Sequence, residues 1–278
     1  MSVLITGGTG TLGRAYIRRA LLNGEKRICI YSRDEHKQAV MREEFGNDDR
    51  LRWFVGDVRD KVRLTRALED IELIIHAAAL KRVEVGEYNS DELVKTNVMG
   101  TINVIEAAHA ARVSNVIAIS TDKASSPFNA YGASKLLMEK LIIGANNASG
   151  RYGPCFSVVR LANLANSRGS VIPTWQTILS RGDTVVPVTD PDCTRFVMTE
   201  KQTIDAIVEL QRTMRGGEIV IPHDLKAFKL SDLMVAMNVT GEPSGLRPGE
   251  RLHEEMSPGV SSEHALRLSI DELRELLK

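Results

Sequence analysis

The stretch Val3-Leu4-Ile5-Thr6-Gly7-Gly8-Thr9-Gly10-Thr11-Leu12-Gly13 decides the fold. A short apolar, β-branched run ends in glycines at 7, 10 and 13, and a helical pattern over 12–23 follows it. Gly7 permits a tight turn, Gly10 lets backbone come close to a pyrophosphate, and Gly13 lets the helix pack on the strand with its N-terminus facing the anion. The expected backbone contacts to a dinucleotide are Thr6, Gly7, Gly10, Thr11, Leu12 and Gly13. Spaced glycines alone also suit an ordinary loop. Their place between a strand and a helix, at the head of a repeating pattern, favours the nucleotide.

Outward from this loop, strands are predicted at Val3-Thr6, Arg27-Tyr31, Leu51-Val55, Leu73-His76, Val116-Ser120 and Phe156-Arg160, with helices near 12–23, 35–45, 60–69, 91–111 and 130–147. Six strands alternating with helices predict an α/β fold with a doubly wound parallel sheet, its ligands beyond the strand C-termini. After Arg160 the pattern turns irregular, with Ser167-Arg168-Gly169-Ser170, Asp190-Pro191-Asp192 and Gly241-Glu242-Pro243-Ser244-Gly245 as loops. The expected division is a nucleotide-binding domain over 1–160, which a helix near 200–214 and a strand at 218–221 rejoin. The remainder of 161–278 forms a smaller C-terminal substrate-binding lobe.

With 278 residues, 36 basic against 36 acidic, the chain has no net field to draw nucleic acid or an anionic membrane. Cys29, Cys155 and Cys193 are odd in number and widely spaced, as reduced core residues would be. Six histidines without HxxxH or CxxC spacing predict no metal site. No signal peptide pattern and no apolar run of membrane-spanning length are present, so the cytoplasm is the default location.

At the end of the second strand, Tyr31-Ser32-Arg33-Asp34 has no carboxylate where one would grip the ribose 2′-OH of NAD. Ser32 and Arg33, with Lys37, suit a 2′-phosphate, so NADP is preferred over NAD. Arg33 also reads as a solvated loop cation, and Asp34 reads better as the N-cap of the next helix. Asp57-Val58 would sit under the adenine. Ala77-Ala78-Ala79 either lets the dinucleotide pass or simply packs.

Residues 120–135 gather Thr121, Asp122, Lys123, Tyr131 and Lys135 beside the fifth strand. Tyr131 and Lys135, four apart, share a helix face, and an ammonium near a phenol lowers the phenol's proton affinity. This is a proton-transfer set, although Asp122 and Lys123 alone would equally make a strand-end salt bridge.

On these motifs the chain resembles the extended short-chain dehydrogenase/reductases, and within them the soluble UDP-N-acetylglucosamine 4,6-dehydratases of the inverting type. The resemblance rests on the Gly7–Gly13 loop, 31–34, 56–60, His76-Ala77-Ala78-Ala79-Leu80-Lys81, 87–89 and 95–98. It continues through 120–124, 167–173, 189–191, 194–196 and Gly245-Leu246-Arg247-Pro248-Gly249-Glu250-Arg251-Leu252-His253-Glu254. It implies a Rossmann sheet, a UDP-sugar substrate, a homo-oligomer (dimer or higher) using helices near 91–111 and 130–147, and an internal redox cycle. Tyr131, with Lys135 and Thr121, would take the C4 hydroxyl proton. Lys123, its proton affinity depressed by cations and burial, would take the C5 proton, and a protonated Asp122 would serve the departing C6 hydroxyl. Lys81 and Asn97 would join Tyr131 and Lys135 at the cofactor. Lys81, Asn163, Arg168, Val171, Arg195, Arg247 and Glu250 would meet the nucleotide sugar. Two departures stand out: Arg160-Leu161-Ala162-Asn163 replaces Arg-Tyr-Gly-Asn on the pocket floor, and a short late lobe leaves a helix at 270–277 to complete the cap. A UDP-sugar 4-epimerase, or combined dehydratase/epimerase, is the rival enzyme. A non-catalytic NADP-sensing module is the rival from another class.

Overall fold

The computed structural model describes residues 1–167 and 169–277. Its centre is a seven-stranded parallel sheet. Six strands are β1 (Ser2–Thr6), β2 (Arg27–Ser32), β3 (Leu51–Val55), β4 (Leu73–His76), β5 (Asn115–Thr121) and β6 (Cys155–Leu161). The spatial order is β3-β2-β1-β4-β5-β6, and the short strand Ile219–Val220 adds beyond β6, pairing with Val158 and Val159. Runs such as Leu73–His76, buried at every position, identify strands covered on both faces. One face carries α1 (Thr11–Leu22), α2 (Glu35–Glu44) and the later helix Glu200–Thr213, around Ile5, Tyr16, Ile17, Ile30 and Ile207. The other is packed through Leu4, Leu64, Val104, Met138 and Phe156, and the α-helices between β3 and β6 are α3 (Lys61–Ala67), α4 (Val83–Tyr88), α5 (Ser90–Leu93), α6 (Gly100–Ala111) and α7 (Ala130–Ala145).

The order reverses between β1 and β4, so the ends of these strands open the crevice in which such sheets bind ligands. The expected strands all form, as do the helices near 12–23, 35–45, 60–69 and 130–147. The helix expected over 91–111 is instead three segments, Ser90–Leu93, a π-helical stretch Val94–Met99, and Gly100–Ala111. Asn97 lies within the interruption. Its buried amide donates to the Leu80 carbonyl and accepts from the Leu80 N–H, fixing the chain after β4.

The late segments are more regular than their sequence suggests. Thr194–Met198 pairs with Lys226–Lys229 and with Asn163–Leu164, and Val185–Val188 pairs with Thr240–Pro243, a stretch expected to be loop. Helices Val171–Leu179, Leu230–Met237 and Ile270–Leu276 close a separate core around Trp175, Val186, Phe228, Leu233 and Leu273. Two- to five-residue strands are too short to display a period. Pro243 is tolerated because it lies at the end of a two-stranded ribbon. Cys29 and Cys193 are buried, Cys155 is partly so, and all three are free thiols.

Candidate functional site

The glycine loop is shaped by close backbone approach. Gly7 has φ +68°, and a Cβ there would lie 2.9 Å from the Ala78 Cα; one at Gly13 would lie 2.3 Å from the Gly8 carbonyl oxygen. Gly10 caps α1 without a side chain, leaving the first-turn N–H groups available to an anion. The Gly7 turn thus packs backbone to backbone against Ala77 and Ala78 at the strand ends, and the free N–H groups at the start of α1 suit the pyrophosphate of a dinucleotide. At the tip of β2 the Ser32 hydroxyl accepts from Gln38, and Asp34 caps α2 by accepting from the Lys37 N–H, as its N-cap reading expects. Lys37 also pairs with the Asp34 carboxylate at 2.7 Å. Arg33 is half exposed, with Nη1 3.7 Å from Asp57. Asp57 is held mainly by Arg59, whose Nη2 lies 2.8 Å away, while buried Val58 packs beneath.

The reaction cluster forms where β5 runs out. Thr121 ends the strand, Asp122 and Lys123 lie in a single 3₁₀ turn, and α7 begins at Ala130 with Asn129 as its N-cap. Asp122 is 1% exposed; its Oδ1 accepts from Thr121 Oγ1 at 2.7 Å, from the Lys123 N–H at 2.9 Å and from Lys123 Nζ at 3.2 Å. Its Oδ2 is buried and has no hydrogen-bond partner among the described residues. Burial raises the Tyr131 phenol to about 12, against the pull of the Lys123 ammonium and the Thr121 hydroxyl, with Asp122 adding to the rise.

Two expectations about these groups fail. Lys135 does not set the Tyr131 phenol: its ammonium points into the fold, donating to the Ile119 carbonyl at 2.6 Å. Burial lowers Lys135 to about 8, with Glu139 opposing. Nor is Lys123 depressed. Burial pushes it down, but Asp122 and Glu254 outweigh burial and hold the amine above the usual lysine range despite nearby Arg195.

Glu254 is the functional candidate that sequence reasoning missed. Its Oε1 lies 3.1 Å from Lys123 Nζ and 3.9 Å from Arg195 Nε, and the carboxylate is buried. The residue stands at the end of the quoted 245–254 segment, but nothing in its spacing points to Lys123.

A buried scaffold supports the cluster. Glu139 on α7 accepts from Ser120 at 2.6 Å and from Arg160 at 2.9 and 2.6 Å, and Arg160 also reaches the Met256 carbonyl. The Thr101 hydroxyl donates to Asn97 O and so can only accept from His76 Nε2, leaving Nδ1 to accept from the Thr6 hydroxyl. Asn97 continues to Ser134, which donates to the Tyr131 carbonyl. The glycine loop and the start of α7 are joined by this chain.

The residues expected at the nucleotide sugar are placed unevenly. Arg247 and Glu250 occupy an outer turn in which the Glu250 carboxylate accepts from the Arg247 N–H, and this turn docks on α7 through Asn129 Nδ2 and the Gly249 carbonyl, 2.7 Å apart. Arg195 lies beside the cluster, but its guanidinium already donates to the carbonyls of Thr194, Arg251 and Leu252. Asn163 donates to the Phe196 carbonyl. Val171 opens helix Val171–Leu179, and Lys81 is exposed after β4. Arg168 lies outside the described residues.

This sheet, loop and cluster define an extended short-chain dehydrogenase/reductase. More narrowly, the chain belongs to the polysaccharide biosynthesis protein family, whose model matches residues 3–270. It is 44% identical to a UDP-N-acetylglucosamine 4,6-dehydratase (inverting) of Campylobacter jejuni over 258 residues, 92% of this chain and 77% of the relative. It is 36% identical to a UDP-glucose 4-epimerase of Rickettsia conorii over 284 residues, 99% of this chain and 81% of the relative. Among solved structures, Pen from Bacillus thuringiensis superposes with a TM-score of 0.93 at 34% identity, covering 99% and 96% of the two chains. A dTDP-glucose 4,6-dehydratase from Streptomyces venezuelae, solved with NAD bound, shares the fold with a TM-score of 0.84 at 21% identity, covering 100% and 96%.

Proposed function

We propose that the chain catalyses 4,6-dehydration of UDP-N-acetylglucosamine, with inversion at C5, using a tightly held NADP+. The observation that carries this reading is the joining of Asp122 and Lys123 with Thr121 and Tyr131 in one buried cluster beyond β5. The similarity to the Campylobacter dehydratase supports it. A nicotinamide nucleotide along the Gly7 loop supplies a hydride acceptor for C4 and a donor for C6. Tyr131, hydrogen-bonded to Thr121, exchanges the C4 hydroxyl proton. Oxidation at C4 acidifies the C5 proton, which Lys123 removes as general base. Asp122, with Oδ2 available to carry a proton, donates it to the departing C6 hydroxyl. Lys135, tied to the Ile119 carbonyl of β5, would add a positive charge to the cofactor side of the site.

Support for NADP over NAD comes from the tip of β2. Asp34 is committed to capping α2, and the Arg33 guanidinium is the exposed group there. Arg247, with Arg195 and Arg168, would meet the diphosphate and uridine, and Asn163, Val171 and Glu250 would complete the sugar-nucleotide pocket. A deoxy-keto sugar product agrees with the family's description as a polysaccharide biosynthesis protein, and we propose that the enzyme works as a cytoplasmic homo-oligomer. Exposed Val94, Met99 and Leu137 on the 91–111 and 130–147 helices suit the subunit contact.

The 36% identity to a 4-epimerase favours epimerisation as the second reading. Incubation with UDP-N-acetylglucosamine and NADP+ in deuterated water, followed by NMR and mass spectrometry, separates the two. Dehydration gives a product one water lighter, with solvent deuterium at an inverted C5. An unchanged mass with C4 inverted would establish the epimerase instead, and retained C5 configuration would remove the inversion.

A further inference from the structure

We infer that Glu254 is a positioning residue for Lys123: it clamps the lysine amine against Asp122 and takes the proton that this amine must shed before it acts as a base. The consequence for turnover rests on the dehydration reading; the pairing itself does not.

The geometry is that of an ammonium held between two carboxyl groups. Lys123 Nζ lies 3.2 Å from Asp122 Oδ1 and 3.1 Å from Glu254 Oε1, and side-chain exposures are 17%, 1% and 8% for Lys123, Asp122 and Glu254. The charged and titratable groups facing the amine are Asp122 beside it in sequence, Glu254 from the segment before β-strand Glu255–Ser257, Arg195 from strand Thr194–Met198, and the Tyr131 phenol from α7. Glu254 has little freedom to leave. Its N–H donates to Ser262 Oγ at 2.9 Å, the Ser262 N–H donates back to the Glu254 carbonyl at 2.8 Å, and Ser262 is hydrogen-bonded to Thr194.

A lysine in this setting is an ammonium and cannot remove a carbon-bound proton. One Nζ–H bond must break first. Asp122 Oδ1 already accepts from Thr121 and from the Lys123 N–H, and Asp122 is assigned the proton for the C6 leaving group, so Glu254 Oε1 is the acceptor left for it. The Nζ lone pair so freed forms a new N–H bond as C5–H breaks, and the C5 electron pair passes into the C4 carbonyl as an enolate. That enolate expels the C6 hydroxyl as water, using the proton from Asp122. The step therefore starts with Asp122 protonated on its free Oδ2 and Glu254 ionised, and no further reactant is needed.

The test follows the Lys123 amine by NMR across pH in protein labelled at lysine Cε, with Lys123→Arg for assignment, alongside the pH dependence of dehydration. In Glu254→Gln the Lys123 resonance is expected to titrate at least about one pH unit lower than in the parent, and the rising limb of the rate profile to move down with it. If Glu254→Gln does not fold, Glu254→Asp, which keeps the charge but withdraws it by one methylene, is expected to give an intermediate shift. An unchanged titration in whichever variant folds overturns the pairing. A shifted titration with an unmoved rate limb, in a parent that dehydrates its substrate, overturns the proton-acceptor role. A parent that converts no UDP-hexose overturns the dehydration reading instead, and the titration still decides the pairing.

Discussion

Asp122 and Lys123 divide the proposed chemistry from that of simpler relatives, because hydride exchange at C4 needs only a proton partner such as Tyr131. Loss of a general acid or base costs about 10²- to 10⁴-fold in rate. Asp122→Asn and Lys123→Ala are therefore expected to lose dehydration by that amount, as read by formation of the keto product. They should keep cofactor binding, which depends on the glycine loop. Normal product formation by both variants would remove these residues from the mechanism. The type and proximity of these residues were legible in the sequence, since they are adjacent in the chain. Their charge state was not. Whether Lys123 is depressed or raised depends on Glu254, a residue brought to it from the far end of the chain by tertiary folding.

Among the elements, α7 is the most consequential because it is seated directly on the turn after β5. A Cβ at Gly132 would lie 2.3 Å from the Lys123 carbonyl oxygen, so no side chain fits between helix and turn. Gly132→Ala gains helix propensity but must push Lys123 or α7 aside. The expected outcome is a folded protein by circular dichroism with turnover down about 10²-fold, the scale of a displacement near 1 Å at a reacting group. Retained turnover would mean the turn tolerates movement. Strands such as Leu73–His76 were legible because a parallel sheet buries both faces and leaves an unbroken apolar run. The π-helical stretch at Val94–Met99 was not, since a change of one residue in the helical hydrogen-bond spacing leaves no periodic trace, nor do the bonds by which Asn97 within it holds Leu80. The short late strands escaped for a related reason: each is held by its partner rather than by its own pattern.

Across the whole molecule, acid stability should carry the signature of His76. Complete burial, with the Lys135 charge adding to it, lowers this imidazole to about 3 from 6.5. Between these values the unfolded chain binds a proton that the folded chain refuses. Stability is therefore full above pH 6.5 and falls as pH drops toward 3, by up to about 1.4 kcal/mol per unit. Urea unfolding between pH 6.5 and 5, above the range where most carboxylates titrate, is expected to show this slope in the parent and not in His76→Gln. A flat parent profile would mean that the imidazole protonates in the folded state. The docking of the Gly249 turn on Asn129 has a different reach, because Asn129 also caps α7 by accepting from the Gly132 N–H. On the proposed assignment of Arg247 to the nucleotide half of the substrate, binding there would act through this contact on the helix that carries Tyr131. A fragment such as N-acetylglucosamine 1-phosphate, which lacks the uridine, should therefore turn over more slowly even at saturation, because the absent half would have tightened the reacting half.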